Sequence, residues 1–357
     1  MTLTTVQTVS EGPPVEAGAP PGQAIEGRSP LRLALARLRS DRVALLSAGM
    51  IVFVALLAIC APLIEAVTGH NAIASNIATG TDITGQPLGP GVGGFLLGTD
   101  NLGRDILVRI AYGAQISLLV GVLATILATV VGTVVGMLAG YFGGWIDAIL
   151  ARMMDTVLAF PYLLLALALG SVAAEPGSRL HAIAGIPLTI LVIAFFSWAA
   201  IGRIVRGQTL SQKEKEYVEA AHAMGAGNLR ILFIDILPNL VAPVIVLGTL
   251  LIPTAIVFES SLSFLGVGVP PPKPSWGNML SDAQTSGFQA WWFWIFPSLA
   301  LLITTLGFNL LGDSVRDALD PRTERIFAMR RKARFVGGAA ASGEAAAGKP
   351  DGEVEAG

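Results

Sequence analysis

The chain has 357 residues, 53% hydrophobic and only 13% charged, with a mean hydropathy of +0.67 and a formal net charge of −2. A soluble domain carries about 25% charged residues, so this chain lacks the polar side chains to cover a water-facing surface. Several apolar runs reach the roughly 20 residues that cross a bilayer, which makes it an all-α polytopic membrane protein; its single cysteine, Cys60, excludes a disulfide framework or thiolate metal site.

Residues 1–30 are rich in Pro, Gly, Glu and Thr and carry no apolar stretch, so they are expected to form a disordered tail and not a cleavable leader. Six transmembrane helices follow, over Val43–Val67, Gln115–Phe142, Val157–Val172, Leu188–Ile204, Leu237–Val267 and Trp292–Leu311. Before the second, Asp100 with Arg104 and Asp105 with Arg109 are spaced i to i+4, as in a short surface helix capped by Thr99 or Asp100. Between the second and third, Gly143–Asp147 and Arg152–Asp155 suggest a short amphipathic helix at the inner face. The run Trp291–Trp294 suits a membrane interface or a neighbouring subunit. Residues 336–357 form a second low-complexity tail. Its Gly343–Lys349 imitates the start of a phosphate loop, but Pro350 replaces the Mg²⁺-binding hydroxyl and no strand precedes it.

Lysine and arginine orient the chain. With the N-terminus inside, every basic residue except Arg104, Arg109, Arg179 and Lys273 falls on the inner side. The positive-inside rule therefore predicts that both termini are cytoplasmic, as is the charged loop between spans four and five.

Within the spans, Ala124, Ala128, Gly132, Gly136 and Gly140 recur every four residues and form one groove for close backbone approach; the sequence leaves open whether the partner helix belongs to this chain. Pro243 and Pro253 are expected to kink span five and to place it at a pathway, or else to shape static packing. Glu259 is the sharpest intramembrane charge. It has two readings: a carboxylate hydrogen-bonded to Ser260, Ser261 or Ser263, or a substrate or gating residue. His70, His181 and His222 lie far apart in loops and suggest no metal set, and no catalytic constellation is expected.

The polar loop holds Glu216-Tyr217-Val218-Glu219-Ala220-Ala221-His222-Ala223-Met224-Gly225, closed by Ile236-Leu237-Pro238-Asn239. This resembles the EAA loop of ABC importer permeases. The segments at 97–106 (LGTDNLGRDI), 139–145 (AGYFGGW), 261–266 (SLSFLG), 274–279 (PSWGNM) and 308–322 (FNLLGDSVRDALDPR) resemble the dipeptide/oligopeptide/nickel branch, in particular its "C" permease. The resemblance implies a type I ABC importer permease fold over residues 31–335, in the cell membrane of a prokaryote. It implies an EAA coupling loop at about 205–236, with Glu216, Glu219, Ala220, Ala221 and Gly225 on the coupling helix and Pro238 opening span five. It further implies a second dissimilar permease, two ATP-binding subunits that hold ATP and Mg, and an external solute-binding protein handing over peptides or a related small solute. This chain would bind no cofactor directly and no nucleic acid. Asp100, Arg104 and Asp105 belong to the outer segment. Phe95-Leu96 stand where relatives often carry His-Pro, and the outer loops at 71–94 and 175–186 look enlarged. A stand-alone secondary transporter would instead show repeated, interrupted helices and charge relays, and a membrane enzyme would need a nucleophile or metal set.

Overall fold

The computed structural model describes residues 30–319. Both tails, the phosphate-loop look-alike and the basic residues after Leu319 lie outside them. The described helices are α1 (Pro30–Ser40), α2 (Arg42–Ile59), α3 (Ala61–Thr68), α4 (Ile77–Gly80), α5 (Ile106–Phe142), α6 (Gly144–Ala159), α7 (Tyr162–Ala174), α8 (Ile186–Lys213), α9 (Glu216–Ala223), α10 (Asn228–Arg230), α11 (Leu237–Phe264), α12 (Trp276–Ala283) and α13 (Trp291–Leu319). Five of the helical stretches are long and apolar enough to cross a membrane, or six if the bent pair α6 and α7 counts as one span.

Local chemistry sets the ends. Asp41 caps α2 by accepting from Val43 N at 3.0 Å, and Asp105 caps α5 by accepting from Leu107 N at 2.8 Å. Ser275 and Asn278 close a reciprocal capping box on α12. Span one breaks at Cys60, because Pro62 cannot continue the hydrogen-bond ladder and opens α3 instead. Span three bends by 79° between α6 and α7. There Pro161 forces Phe160 into extended geometry (φ −75°, ψ 137°) and ends α6. Spans two and four run longer than the hydropathy predicts, α5 starting at Ile106 and α8 reaching Lys213. Arg109, Arg203 and Arg206 lie inside them, each paired with an aspartate from elsewhere in the chain. Arg109 and Arg206 fall outside the expected spans; pairing lets the helices continue past them.

The small-residue groove meets a partner within the chain. A Cβ on Gly132 would come within 2.6 Å of Trp198 O, and one on Gly140 within 2.7 Å of Arg206 O. Contacts therefore advance along α5 and α8 in the same direction, so the two helices run parallel with their backbones nearly touching. Parallel neighbours require the intervening chain to travel back, and α6 with α7 supplies that return. α11 runs antiparallel to α5, Gly121 facing Ile256 and Gly248 facing Thr129. α13 runs antiparallel to α2, Gly307 facing Met50 and Ile51, while Arg37 donates to Ala318 O at 3.1 Å. The start of α2, the ends of α5, α8 and α13, and the segment α9–α10 thus share one end of the bundle. α3, the loop at 69–105 and α12 share the other.

Gly136→Val tests the groove. Its Cβ would already meet Val205 Cβ at 2.9 Å and Arg206 N at 3.0 Å. Overpacking of this kind costs about 1–3 kcal/mol. A lowered melting temperature of the detergent-solubilised protein is expected, whereas Gly49→Ala, with nothing within 4 Å, leaves it unchanged.

Candidate functional site

The loop between α8 and α11 is built as a short helix docked on the bundle. Glu216 and Glu219 occupy the first turn of α9, where negative charge meets the helix dipole favourably, and both are exposed. Val218 and Ala221 turn inward and join the main apolar core. Ala220 is exposed, so the two alanines face opposite ways: Ala221 packs against the chain's own core, and only Ala220 is offered outward. Gly225 closes α9 at φ +80°. Its N–H reaches His222 O at 2.9 Å and the Ala226 N–H reaches Ala221 O at 3.0 Å, the paired bonds of a left-handed helix stop. Nothing crowds a Cβ at Gly225, so the demand for glycine there is purely conformational.

Pro238 sits in the first turn of α11, but α11 does not begin afresh there. A π-helical stretch, Ile231–Ile236, joins α10 to α11, and Leu237 N bonds back to Leu232 O. Proline lacks the N–H and its ring collides with the carbonyl four residues earlier; the wider π turn makes room for it. Tyr217, Met224, Leu229, Phe233 and Ile234 leave an apolar surface open beside the exposed acidic face of α9.

Side-chain hydrogen bonds fasten this loop to the bundle, among them one from Tyr217 Oη to Gln212 Oε1 of α8 at 2.8 Å. The Tyr141 hydroxyl, at the end of α5, donates to Asn228 Oδ1 at 3.1 Å and lies 3.4 Å from His222 Nε2. Lys213 Nζ donates to Tyr141 O at 2.7 Å. Asn239 Nδ2 donates to Tyr217 Oη at 3.3 Å on the exposed side. Nearby, Arg206 of α8 grips Asp147 of α6 with both nitrogen arms, one at 2.6 Å.

At the opposite end, the pair Asp100 and Arg104 forms, at 2.6 Å, but in a buried turn and not on a surface helix. Asp100 Oδ1 accepts from Leu102 N and Arg104 N, and Oδ2 lies 3.4 Å from Arg109 Nε. Asp282 of α12 completes the cluster, 3.2 Å from Arg104 and 3.4 Å from Arg109. Burial pushes the Asp282 carboxyl above its ordinary range, with the Arg109 and Arg104 guanidinium groups pulling the other way. Residues 99–105 form no helix for Thr99 or Asp100 to cap; Asp105 caps α5, and its second oxygen takes His70 Nδ1 at 2.8 Å. Asp105 and Arg109 form no direct pair among these bonds. Asp282 was invisible in the sequence, because only folding brings it within reach of residues more than 170 positions earlier.

Glu259 is fully buried and ringed by hydroxyls. Ser117 of α5 donates to it at 2.8 Å, Ser263 at 2.7 Å and Ser260 at 3.3 Å, whereas Ser261 turns away and donates to Val257 O. It lines neither of two grooves along α11. One, of about 380 Å³, lies among α6, α7, α8 and α11 and is walled by Tyr162, Phe196, Leu251, Thr254 and Phe258. The other, of about 490 Å³, lies among α8, α11 and α13 and includes Gln208, Pro243, Leu250 and Arg316. Pro243 and Pro253 sit within one uninterrupted helix, Pro253 buried. Among the described residues no three His, Cys, Asp or Glu side chains converge as a metal ion requires.

Residues 132–325 match the family described as binding-protein-dependent transport system inner membrane component. The chain is a member of this permease family. Residues 29–76 match the N-terminal TM domain of oligopeptide transport permease C. The permease is 38% identical over 303 residues to the dipeptide transport system permease of Alkalihalophilus pseudofirmus, covering 85% of this chain and 93% of that one. It is 42% identical to the glutathione transport system permease of Salmonella typhimurium (83% and 91%) and 39% identical to the oligopeptide transport system permease of Escherichia coli (84% and 93%). Its fold is similar to a chain of the MetNI methionine ABC transporter in an inward-facing conformation. There the TM-score is 0.50 at 17% identity, over 59% of this permease and 96% of that chain. The permease thus has the fold of an ABC importer membrane subunit.

Removing the Glu259 carboxyl orphans three buried hydroxyl donors, each worth about 1–3 kcal/mol when unsatisfied. Glu259→Ala is expected to lower the thermal stability of the purified permease strongly. Glu259→Gln, which keeps the volume and one acceptor, should cost less. Equal stability of the two variants and the parent would remove Glu259 from the packing joint.

Proposed function

We propose that this chain is one of two dissimilar permeases in an ATP-driven importer, carrying peptides or a related small solute inward by alternating access. The carrying observation is α9, a helix with its apolar side on the permease core and its acidic side open to a partner. The substrate class follows from the dipeptide, oligopeptide and glutathione permeases that the sequence resembles over more than four-fifths of its length. In this reading six spans cross the cell membrane of a prokaryote, the bent α6–α7 pair counting as one, and both termini are cytoplasmic. The partners are a second permease, two ATPase subunits that hold ATP and Mg, and an external solute-binding protein; no cofactor binds this chain and no nucleic acid is involved.

Each named residue then has a physical task. Glu216, Glu219 and Ala220 face the ATPase. Ala221 seats the helix, Gly225 ends it, and Pro238 with its π turn starts α11. The α11 wall from Pro243 to Phe258 borders the pathway, with Pro253 a weak point inside the helix. Glu259 acts by holding α11 to α5 and does not touch cargo. Asp100, Arg104 and Asp105 stiffen the outer end, where the binding protein delivers solute.

The decisive experiment is a cross-link in the assembled importer. Cys60 is replaced by Ser, and a single cysteine is placed at Met224, which is 81% exposed, opposite a cysteine in the docking groove of the ATPase. A cross-link whose yield changes with ATP is expected; its absence from an assembled complex would sink the docking role of α9. A second outcome follows from charge and strain: Glu219→Lys and Gly225→Val should leave the complex assembled yet uncouple ATP hydrolysis from uptake.

A further inference from the structure

We propose that Tyr141 is a positioning residue for energy coupling: it latches the α9–α10 segment to α5, so that displacement of α9 moves α5 and α8 as one body. The proposal rests on the reading of α9 as the ATPase-docking helix.

The hydrogen bonds at Tyr141 are shielded, whereas the one from Tyr217 of α9 to Gln212 Oε1 of α8, at 2.8 Å, is exposed. Val218 and Ala221 meet the core through apolar surface, which can slide. The Asn239–Tyr217 bond, at 3.3 Å, is exposed, so water competes for it. Tyr141 is only 4% exposed, and its hydroxyl engages two separate pieces of the loop, His222 on α9 and Asn228 on α10. Its ring lies parallel to the His222 imidazole, at an interplanar angle of 8° and a centroid distance of 6.3 Å. Lys213, the last residue of α8, closes the latch from the other side. It bonds the Tyr141 carbonyl, one of those left unpaired at the end of α5, and places its ammonium 5.7 Å from the ring centre.

What lies behind the latch makes it a transmitter. The preceding residue, Gly140, presses on the backbone of α8 at Arg206, and Arg206 is held to α6 by Asp147. A pull on the Tyr141 hydroxyl therefore reaches three helices with no soft segment between. α11 meets α9 through the exposed Asn239–Tyr217 bond and enters through the π-helical turn.

The test uses the complete importer in lipid vesicles and reads ATP hydrolysed per solute molecule taken up. Tyr141→Phe removes only the hydroxyl, and His222→Ala removes its partner on α9. Each is expected to raise that ratio at least about fivefold, the lower end of common coupling energies. The double variant should be no worse than Tyr141→Phe alone, since that change already removes the hydroxyl that His222 meets. His222→Gln, which keeps an N–H at similar reach, should recover most of the coupling. Parental ATP use per solute in Tyr141→Phe or His222→Ala, or fully additive losses in the double variant, would overturn the latch. If Tyr141→Phe fails to assemble, His222→Ala decides, because His222 is exposed and outside the core. Failure of the underlying reading is seen separately: loss of the Met224 cross-link removes α9 from the ATPase, whereas an intact cross-link with parental coupling in the variants removes only the latch.

Discussion

The rest of this structure depends on the close parallel contact between α5 and α8. Lipid tails are as apolar as leucine, so helices in a bilayer gain little by hiding apolar side chains from them, and association falls to van der Waals fit. Gly132, Gly136 and Gly140 provide that fit by leaving room on α5 for the backbone of α8 and for Ile201, Val205 and Thr209. Because the pair is parallel, the chain between its members must return the full length of the bundle. That fixes the place of α6 and α7 and leaves a groove on their side of α11. The ends of α5 and α8 also finish together, which creates the platform where α9 sits.

Polar groups do the second part of the work, and they do it in pairs. Arg206 with Asp147 joins α8 to α6, and Arg104 and Arg109 with Asp100 and Asp282 knit the end of the bundle opposite α9. Glu259 with Ser117 joins α11 to α5. A lone charge in hydrocarbon is costly, so each of these groups tolerates one arrangement and few others. The end opposite α9 is tied through α5, α11 and α12, while apolar grooves open along α11.

Much of this was legible in the residues. The four-residue spacing of glycine and alanine announced a groove, and Gly225 after an acidic, alanine-containing turn announced a helix that stops. Other features misled by being read locally. The i to i+4 pairing of Asp100 and Arg104 is real, but the turn that carries it is buried. Arg109 and Arg206, left outside the expected spans, lie inside helices. Pro161 looked like part of one span and instead folds that span by 79°.

The sequence by itself determined the class: apolar runs of membrane length, the uneven placement of basic residues and the loop motif each follow from composition and short-range order. Tertiary structure alone decided the partners. Nothing within a few residues of Tyr141 points to His222, and nothing near Arg109 points to Asp282. The direction of α8 relative to α5 is likewise absent from any window of sequence. Spacing along a chain encodes which face a residue occupies; which face it meets is set only when distant helices share one packed volume.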